Sequence, residues 1–242
     1  MMQALHHLFL GMVLIASMLP FAVGANSESQ TVVLISLDGF RHDYIEKHGA
    51  ANLARIAEKG VRAKGLVPVF PANTFPNHLS VITGLNPVNH GIVNNSFYDK
   101  TRLSDKGYAQ YSMGDGKKDS TWITGIPLWN LVEFHDRRAA TFFWPESDAR
   151  INGTVPSYYY PYSKYADYDE RVNQILQWLS LPEATRPQFV AGYFSLVDSV
   201  GHDAGPDAAQ TKAAVQAVDA LVGRLYDQIQ GIEYCCQSGG GI

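Results

Sequence analysis

The sequence predicts an α/β fold with a mainly parallel central sheet flanked by helices, and three observations carry that reading. Thr31 to Leu37 is a continuous β-branched and apolar run, as expected of a strand buried on both faces of a parallel sheet. Helical and extended patterns then alternate along the chain. The last helical stretch, about Ala208 to Gln230, places Val215, Val218, Leu221, Val222, Leu225 and Ile229 on one side, a stripe that needs a sheet to cover. Ligands of such folds gather at the carboxyl ends of the strands.

In chain order, the first strand stops at Asp38-Gly39. From Ala51 to Lys59, Leu53, Ile56 and Ala57 share a helical face, and Gly60 is a natural stop. Val61 to Val69 resumes extended character, which would complete a β-α-β unit. Pro76 suits the first turn of a helix with body residues Leu79, Val81 and Ile82 and a stop at Gly84, so Thr74 falls at that helix's start. Tyr98 to Thr121, with Gly107, Gly114 and Gly116, reads as a surface insertion. A helix over Leu128 to Phe134, a strand over Ala139 to Trp144, a helix carrying Val172, Ile175, Leu176 and Leu179, and a strand over Phe189 to Val197 follow. Gly231 onward, with Cys235, Cys236 and three consecutive glycines, has the pattern of neither strand nor helix, so the tail 231–242 is expected to be irregular.

Residues 1–24 read as a secretory signal peptide. Leu8 to Val23 is apolar apart from Gly11, Ser17 and Pro20, and Ala22-Val23-Gly24 offers a small-x-small cleavage pattern before Ala25. The segment lacks Lys or Arg, so an uncleaved membrane anchor is the alternative, and contact with a membrane is expected only in that case. Either way the chain is expected to be exported, to a secreted, periplasmic or otherwise extracytoplasmic location. With 46% hydrophobic and 12% aromatic residues over its 242 positions, the sequence can bury one core. Nineteen basic and 23 acidic residues are interspersed, which leaves no basic face for a stable nucleic-acid complex. The two cysteines are adjacent and cannot staple distant segments.

Two strand ends deliver carboxylates out of apolar runs: Asp38, and Asp198 in Asp198-Ser199-Val200-Gly201-His202. Either could cap a turn. A shared cation is the other solution, because an unpaired carboxylate withdrawn from water costs several kcal/mol. His202 lies four residues after Asp198, so one turn of chain can aim both at one ion, an O/N set that suits zinc. Thr74 at a helix start could be a plain N-cap, or it could use the helix's positive end to hold an anion or its own alkoxide. Asn95 lies in a turn-like stretch, and its amide could donate to a phosphoryl oxygen. The rings of Phe75, Tyr159, Tyr162 and Tyr193 suit either core packing or stacking on a base. No Cys/Ser-x-Pro-x-Arg, Gly-x-Ser-x-Gly or His-Glu-x-x-His pattern occurs, which argues against a sulfatase, a serine hydrolase of that type or a zincin protease.

Taken together, Asp38-Gly39-Phe40-Arg41, Thr74-Phe75-Pro76-Asn77-His78, His90-Gly91-Ile92-Val93-Asn94-Asn95 and Asp198-Ser199-Val200-Gly201-His202 resemble the nucleotide pyrophosphatase/phosphodiesterase family of the alkaline phosphatase superfamily. The resemblance runs from about Val32 to Gln230 and implies an alkaline-phosphatase-like fold. It also implies a small-molecule nucleotide or other phosphodiester as substrate and two Zn2+ per complete site. Asp38 and Thr74 would then belong to one zinc site and Asp198 and His202 to the other, with Thr74 as the attacking group. Asn95 and the backbone N–H of Thr74 would hold a non-bridging oxygen. Phe75, Tyr193 and one of Tyr159 or Tyr162 would sandwich the base.

The family draws its remaining zinc ligands from a later Asp-His strand end and a still later histidine, which this sequence does not contain. Residues 25–242 are therefore expected to be the N-terminal part of a phosphodiesterase catalytic domain, C-terminally truncated, with weak metal binding and little activity. The alternatives are an inactive fragment or pseudoenzyme, and a related phospholipid-headgroup or phosphonate hydrolase.

Overall fold

The structure, a computed structural model, describes residues 30–105 and 107–238. The expected leader at 1–24 and the last four residues lie outside them. The elements are β1 (Val32–Leu37), α1 (Tyr44–His48), α2 (Ala51–Lys59), α3 (Thr74–Thr83), α4 (Pro87–His90), β2 (Ser96–Ser104), β3 (Gly107–Ser112), α5 (Leu128–Phe134), β4 (Ala139–Phe142), β5 (Tyr158–Tyr160), α6 (Tyr168–Leu179), β6 (Phe189–Phe194), α7 (Leu196–Ala204) and α8 (Ala209–Ser238). Two short 3-10 turns, Asp115–Lys117 and Ser120–Trp122, follow β3.

The α/β architecture is as the sequence predicts. Four strands form a fully parallel sheet in the order β1-β6-β4-β5. One face packs on a core that includes Leu79, Ile82, Trp122, Trp129 and Trp144. Another cluster joins Val172, Ile175 and Leu176 of α6 to Leu221 and Leu225 of α8 over Val190 and Phe194.

Five expectations require correction. β1 is only half-buried, because it stands at the edge of the described sheet with β6 as its one strand partner. No strand forms over Val61 to Val69. Leu66, Val67 and Phe70 project into solvent, and Pro68 and Pro71 remove the donors a ladder would need. The β-α-β unit therefore closes much later, at β6. Strand β6 ends at Phe194, and Leu196 and Val197 open α7 instead: Ser195 leaves the extended region and Val197 turns into a core with Tyr44 and Val215. Tyr98–Thr121 lies largely at the surface as expected but holds regular structure where none was foreseen, an antiparallel ribbon of β2 and β3 whose Tyr111 is fully buried against Phe97 and Trp122. Finally, α8 continues to Ser238 where irregular chain was expected from residue 231, since Ile232 extends the Ile229 stripe onto the core by one further step of three.

Candidate active site

The site follows from the pairing of β1 with β6. Their register is unbroken from Val32 opposite Phe189 to Leu37 opposite Phe194, so both strands end together. The Asp38 N–H donates to the Phe194 carbonyl at 2.9 Å and fixes the carboxylate at that end. Gly39 follows at φ +68, and a Cβ there would lie 2.6 Å from the Asp198 Cα. Only glycine lets the Asp38 turn pass so close to the first turn of α7.

Asp198 sits in that first turn, where the helix dipole favours an anion. Its carboxyl is nevertheless held above the ordinary aspartate value, by burial first and then by the negative charge of Asp38. His202, one turn on, approaches it with Nε2 3.4 Å from Oδ1 and exposes most of its ring. Among the described residues, neither aspartate has an Arg or Lys partner.

Thr74 is the first residue of α3 and Asn73 its cap position, where no side chain caps the helix. Instead of capping, the Thr74 hydroxyl donates to Asp38 Oδ2 at 3.1 Å, and the Phe75 N–H donates to Asn95 Oδ1 at 2.9 Å. That bond leaves the Asn95 Nδ2 hydrogens as its donors. Asn94 holds the same turn, its Oδ1 accepting from Asn73 Nδ2 at 2.6 Å and from the Asn95 N–H at 2.8 Å.

Two supports were missed in the sequence. The buried Tyr193 donates its hydroxyl to Asp38 Oδ2 at 2.7 Å; burial and the nearby Asp38 charge both push its phenol upward. His78 links three elements. Its Nδ1 must donate to the Thr74 carbonyl, 2.7 Å away, so its Nε2 accepts from the Ser36 hydroxyl at 2.8 Å. Burial lowers its pKa, and its ring meets Tyr193 and Trp144 edge-on. With both nitrogens engaged, His78 is a bracket. The Thr74-to-His78 spacing of four on one helix was the available signal.

The structure thus brings Asp38, Thr74, Tyr193, Asp198 and His202 to one end of the sheet, with Asn95 at the start of α3. Phe75 lies partly in the core beside it. Tyr162 meets Tyr193 at a ring separation of 6.3 Å and Phe143 at 5.4 Å. Tyr159 makes no ring contact among the described residues: it alternates with Tyr160, which stacks on Trp178, and so faces the other side of β5. Among the described residues no three His, Cys, Asp or Glu side chains gather in one metal-binding group. The oxygen and nitrogen donors come in pairs.

The sequence profile described as "Type I phosphodiesterase / nucleotide pyrophosphatase" matches residues 32–234. Human ectonucleotide pyrophosphatase/phosphodiesterase family member 1 is 38% identical over 209 residues, covering 85% of this chain and 22% of the relative. The venom phosphodiesterase of Macrovipera lebetinus is 36% identical over 205 residues, covering 84% of this chain and 24% of the relative. Among solved structures, murine ectonucleotide pyrophosphatase/phosphodiesterase 5, in an inactive form in complex with AMP, superposes with a TM-score of 0.76 at 28% identity, over 84% of this chain and 53% of that one. The chain therefore spans about a quarter of these two curated relatives and about half of the solved one.

Proposed function

Since the chain belongs to the type I phosphodiesterase/nucleotide pyrophosphatase family, we propose that it acts on phosphodiester or pyrophosphate bonds of nucleotides with Thr74 as the attacking group. The observation that carries the proposal is the Thr74 hydroxyl at the start of α3, hydrogen-bonded to Asp38 rather than to its own helix.

The donor set fits divalent cations. Two carboxylates close enough for one to raise the pKa of the other, without an Arg or Lys partner among the described residues, suit a site that a cation completes. Asp38 with Thr74, and Asp198 with His202, would each hold one zinc. When bound, zinc lowers the pKa of a hydroxyl and offsets the charge of a leaving oxygen. The residues do the rest. Asp38 fixes the rotamer of the Thr74 hydroxyl, and the amino end of α3 favours the developing alkoxide and the phosphoryl group. The Thr74 N–H and the Asn95 Nδ2 hydrogens would hold a non-bridging oxygen. Phe75 and Tyr162, with Tyr159 and Tyr193 as the further candidates, would flank the base. Thr74 Oγ1, its proton released to solvent, forms a bond to phosphorus as the bond to the leaving oxygen breaks; a water oxygen then bonds to phosphorus as the Oγ1–phosphorus bond breaks, which releases a nucleoside monophosphate and returns a proton to Thr74.

A catalytic zinc usually has three protein ligands, and each pair here offers two. Residues 30–238 on their own should therefore bind zinc weakly and turn over slowly. The pairing of donors in twos among the described residues favours a second reading for them, nucleotide binding without hydrolysis. The test is hydrolysis of a nitrophenyl nucleotide ester with zinc titrated in, alongside mass spectrometry of the quenched reaction. We expect slow turnover, a nucleotide adduct on the Thr74 peptide, and a loss on the order of 10³-fold or more in Thr74→Ala. Turnover that survives this substitution would sink the assignment, and AMP binding with no turnover at saturating zinc would establish the second reading.

A further inference from the structure

We propose that Asn152 is an N-glycosylation site, the acceptor of an oligosaccharide during export. The inference rests on the chain entering a secretory lumen, one of the export routes compatible with its N-terminal segment, and on no feature of the candidate site.

Asn152-Gly153-Thr154 has the Asn-x-Thr acceptor pattern. The pattern alone is common, and the local structure gives it weight. Ile151 and Thr154 form an isolated antiparallel bridge, with the Thr154 N–H donating to the Ile151 carbonyl at 3.0 Å. Between them, Asn152 at φ 49 and Gly153 at φ 76 are both left-handed, the pattern of a type I′ turn. The base of the turn is anchored: Ile151 is buried in the core, and its carbonyl accepts from the buried Asn130 at 2.7 Å. The tip stands clear. Asn152 is exposed, a Cβ on Gly153 would meet nothing within 4 Å, and neither the Asn152 amide nor the Thr154 hydroxyl has a hydrogen-bond partner among the described residues. A bulky sugar there displaces only water.

The sequence holds one other such pattern, Asn94-Asn95-Ser96, and the structure sets it apart. The Asn94 side chain is half-buried and accepts two hydrogen bonds that shape the Asn95 turn. Both bonds are accepted by its Oδ1, so an oligosaccharide on the adjoining Nδ2 would have to fit beside a half-buried side chain already held against the start of α3. Correctly folded chains therefore carry Asn94 bare and Asn152 modified.

In the transfer, the Asn152 Nδ2 attacks the anomeric carbon of a polyprenyl-diphosphate-linked oligosaccharide. The carbon–nitrogen bond forms as the carbon–oxygen bond to diphosphate breaks; the polyprenyl diphosphate leaves with the electron pair, and the amide nitrogen loses one proton.

The test is secretion of the full chain from a eukaryotic host, once with its own N-terminus and once with residues 1–24 replaced by an established leader, followed by peptide mapping after enzymatic deglycosylation. We expect conversion of Asn152 to Asp in the mapped peptide with both leaders and an unconverted Asn94 peptide. Asn152→Asp, which keeps a residue tolerant of the left-handed region, and Thr154→Ala should each abolish the glycan without lowering the thermal midpoint of the enzymatically deglycosylated protein. Secreted protein with a bare Asn152 would overturn the proposal. So would a glycan present only with the substituted leader, which would locate the failure in export rather than in the turn.

Discussion

Removing one oxygen from Tyr193 separates two roles of that residue. Tyr193→Phe keeps the ring and its edge-on contact with His78, at a centroid separation of 5.0 Å, and deletes only the hydroxyl that donates to Asp38 Oδ2 at 2.7 Å. A hydrogen bond to a charged group contributes about 1.5–3 kcal/mol net when its partner is left buried. Asp38 retains two other donors, the Thr74 hydroxyl and the Gly39 N–H, each at 3.1 Å, and the site is open enough for water to replace part of the loss. The expected cost is therefore toward the low end, about 1–2 kcal/mol. Urea unfolding in the presence of a chelator measures it free of any metal, and a double-mutant cycle with Asp38→Ala isolates the pair. A coupling below about 0.3 kcal/mol would mean that the contact contributes nothing and that the argument for Tyr193 as a support of Asp38 is wrong. AMP affinity measured on the same variant reports on the ring: if its face meets the base, affinity survives loss of the hydroxyl.

Gly39→Ala should destabilise the fold by about 2–4 kcal/mol and impair the site, because the new Cβ combines a left-handed backbone with a 2.6 Å approach to Asp198 Cα; near-wild-type unfolding would contradict that packing. Asp219, buried on α8, accepts from Asn52 N and Nδ2 at 3.0 Å and from Leu53 N at 2.8 Å, so it caps α2 from a distant helix, and Asp219→Ala should cost about 3 kcal/mol by chemical denaturation. Buried His90 takes a hydrogen bond from the Ile92 N–H on Nδ1 and is held below the ordinary histidine value by burial. The unfolded chain thus takes up that proton first, near pH 6.5, and stability present above that pH should fall on acidification until the lower folded value is passed. Buried His78 is shifted the same way, so unfolding free energies between pH 7 and 5 should slope downward with acid, less steeply in His90→Gln.

What was legible in the sequence was local. Thr74 at a helix start follows from Pro76 and Gly84, with Gly84 at φ +70 ending the helix as a left-handed cap. Asp38 at a strand end follows from the apolar run before it, and the 128–134 helix appears with the bounds its pattern suggests. Two of the misreadings share one cause: an apolar run does not say what it packs against. Val61 to Val69 has strand composition and no strand partner, whereas Leu196-Val197 has strand composition and a helical core waiting for it. Tyr193 looked like a stacking ring because nothing local reveals that its hydroxyl meets a carboxylate 155 residues away.

The geometry of the candidate site therefore depends on a single non-local choice, the pairing of β1 with β6. Once Val32 is set opposite Phe189, the unbroken parallel register carries Leu37 to Phe194, and Asp38 must emerge beside the chain that turns into α7. Gly39 permits the approach, and the helical spacing of four delivers His202 to the same place as Asp198. The 151 residues between the two strands need only supply the crossover that a parallel pair requires and one further part, the start of α3. His78 bonds to both Ser36 on β1 and Thr74, so the third part is tied to the first two by a neutral imidazole rather than by charge. Thr74 is thus held against Asp38 in the free protein, and in the proposed reaction its preorganisation would be carried by Ser36 and His78 rather than by the attacking group itself.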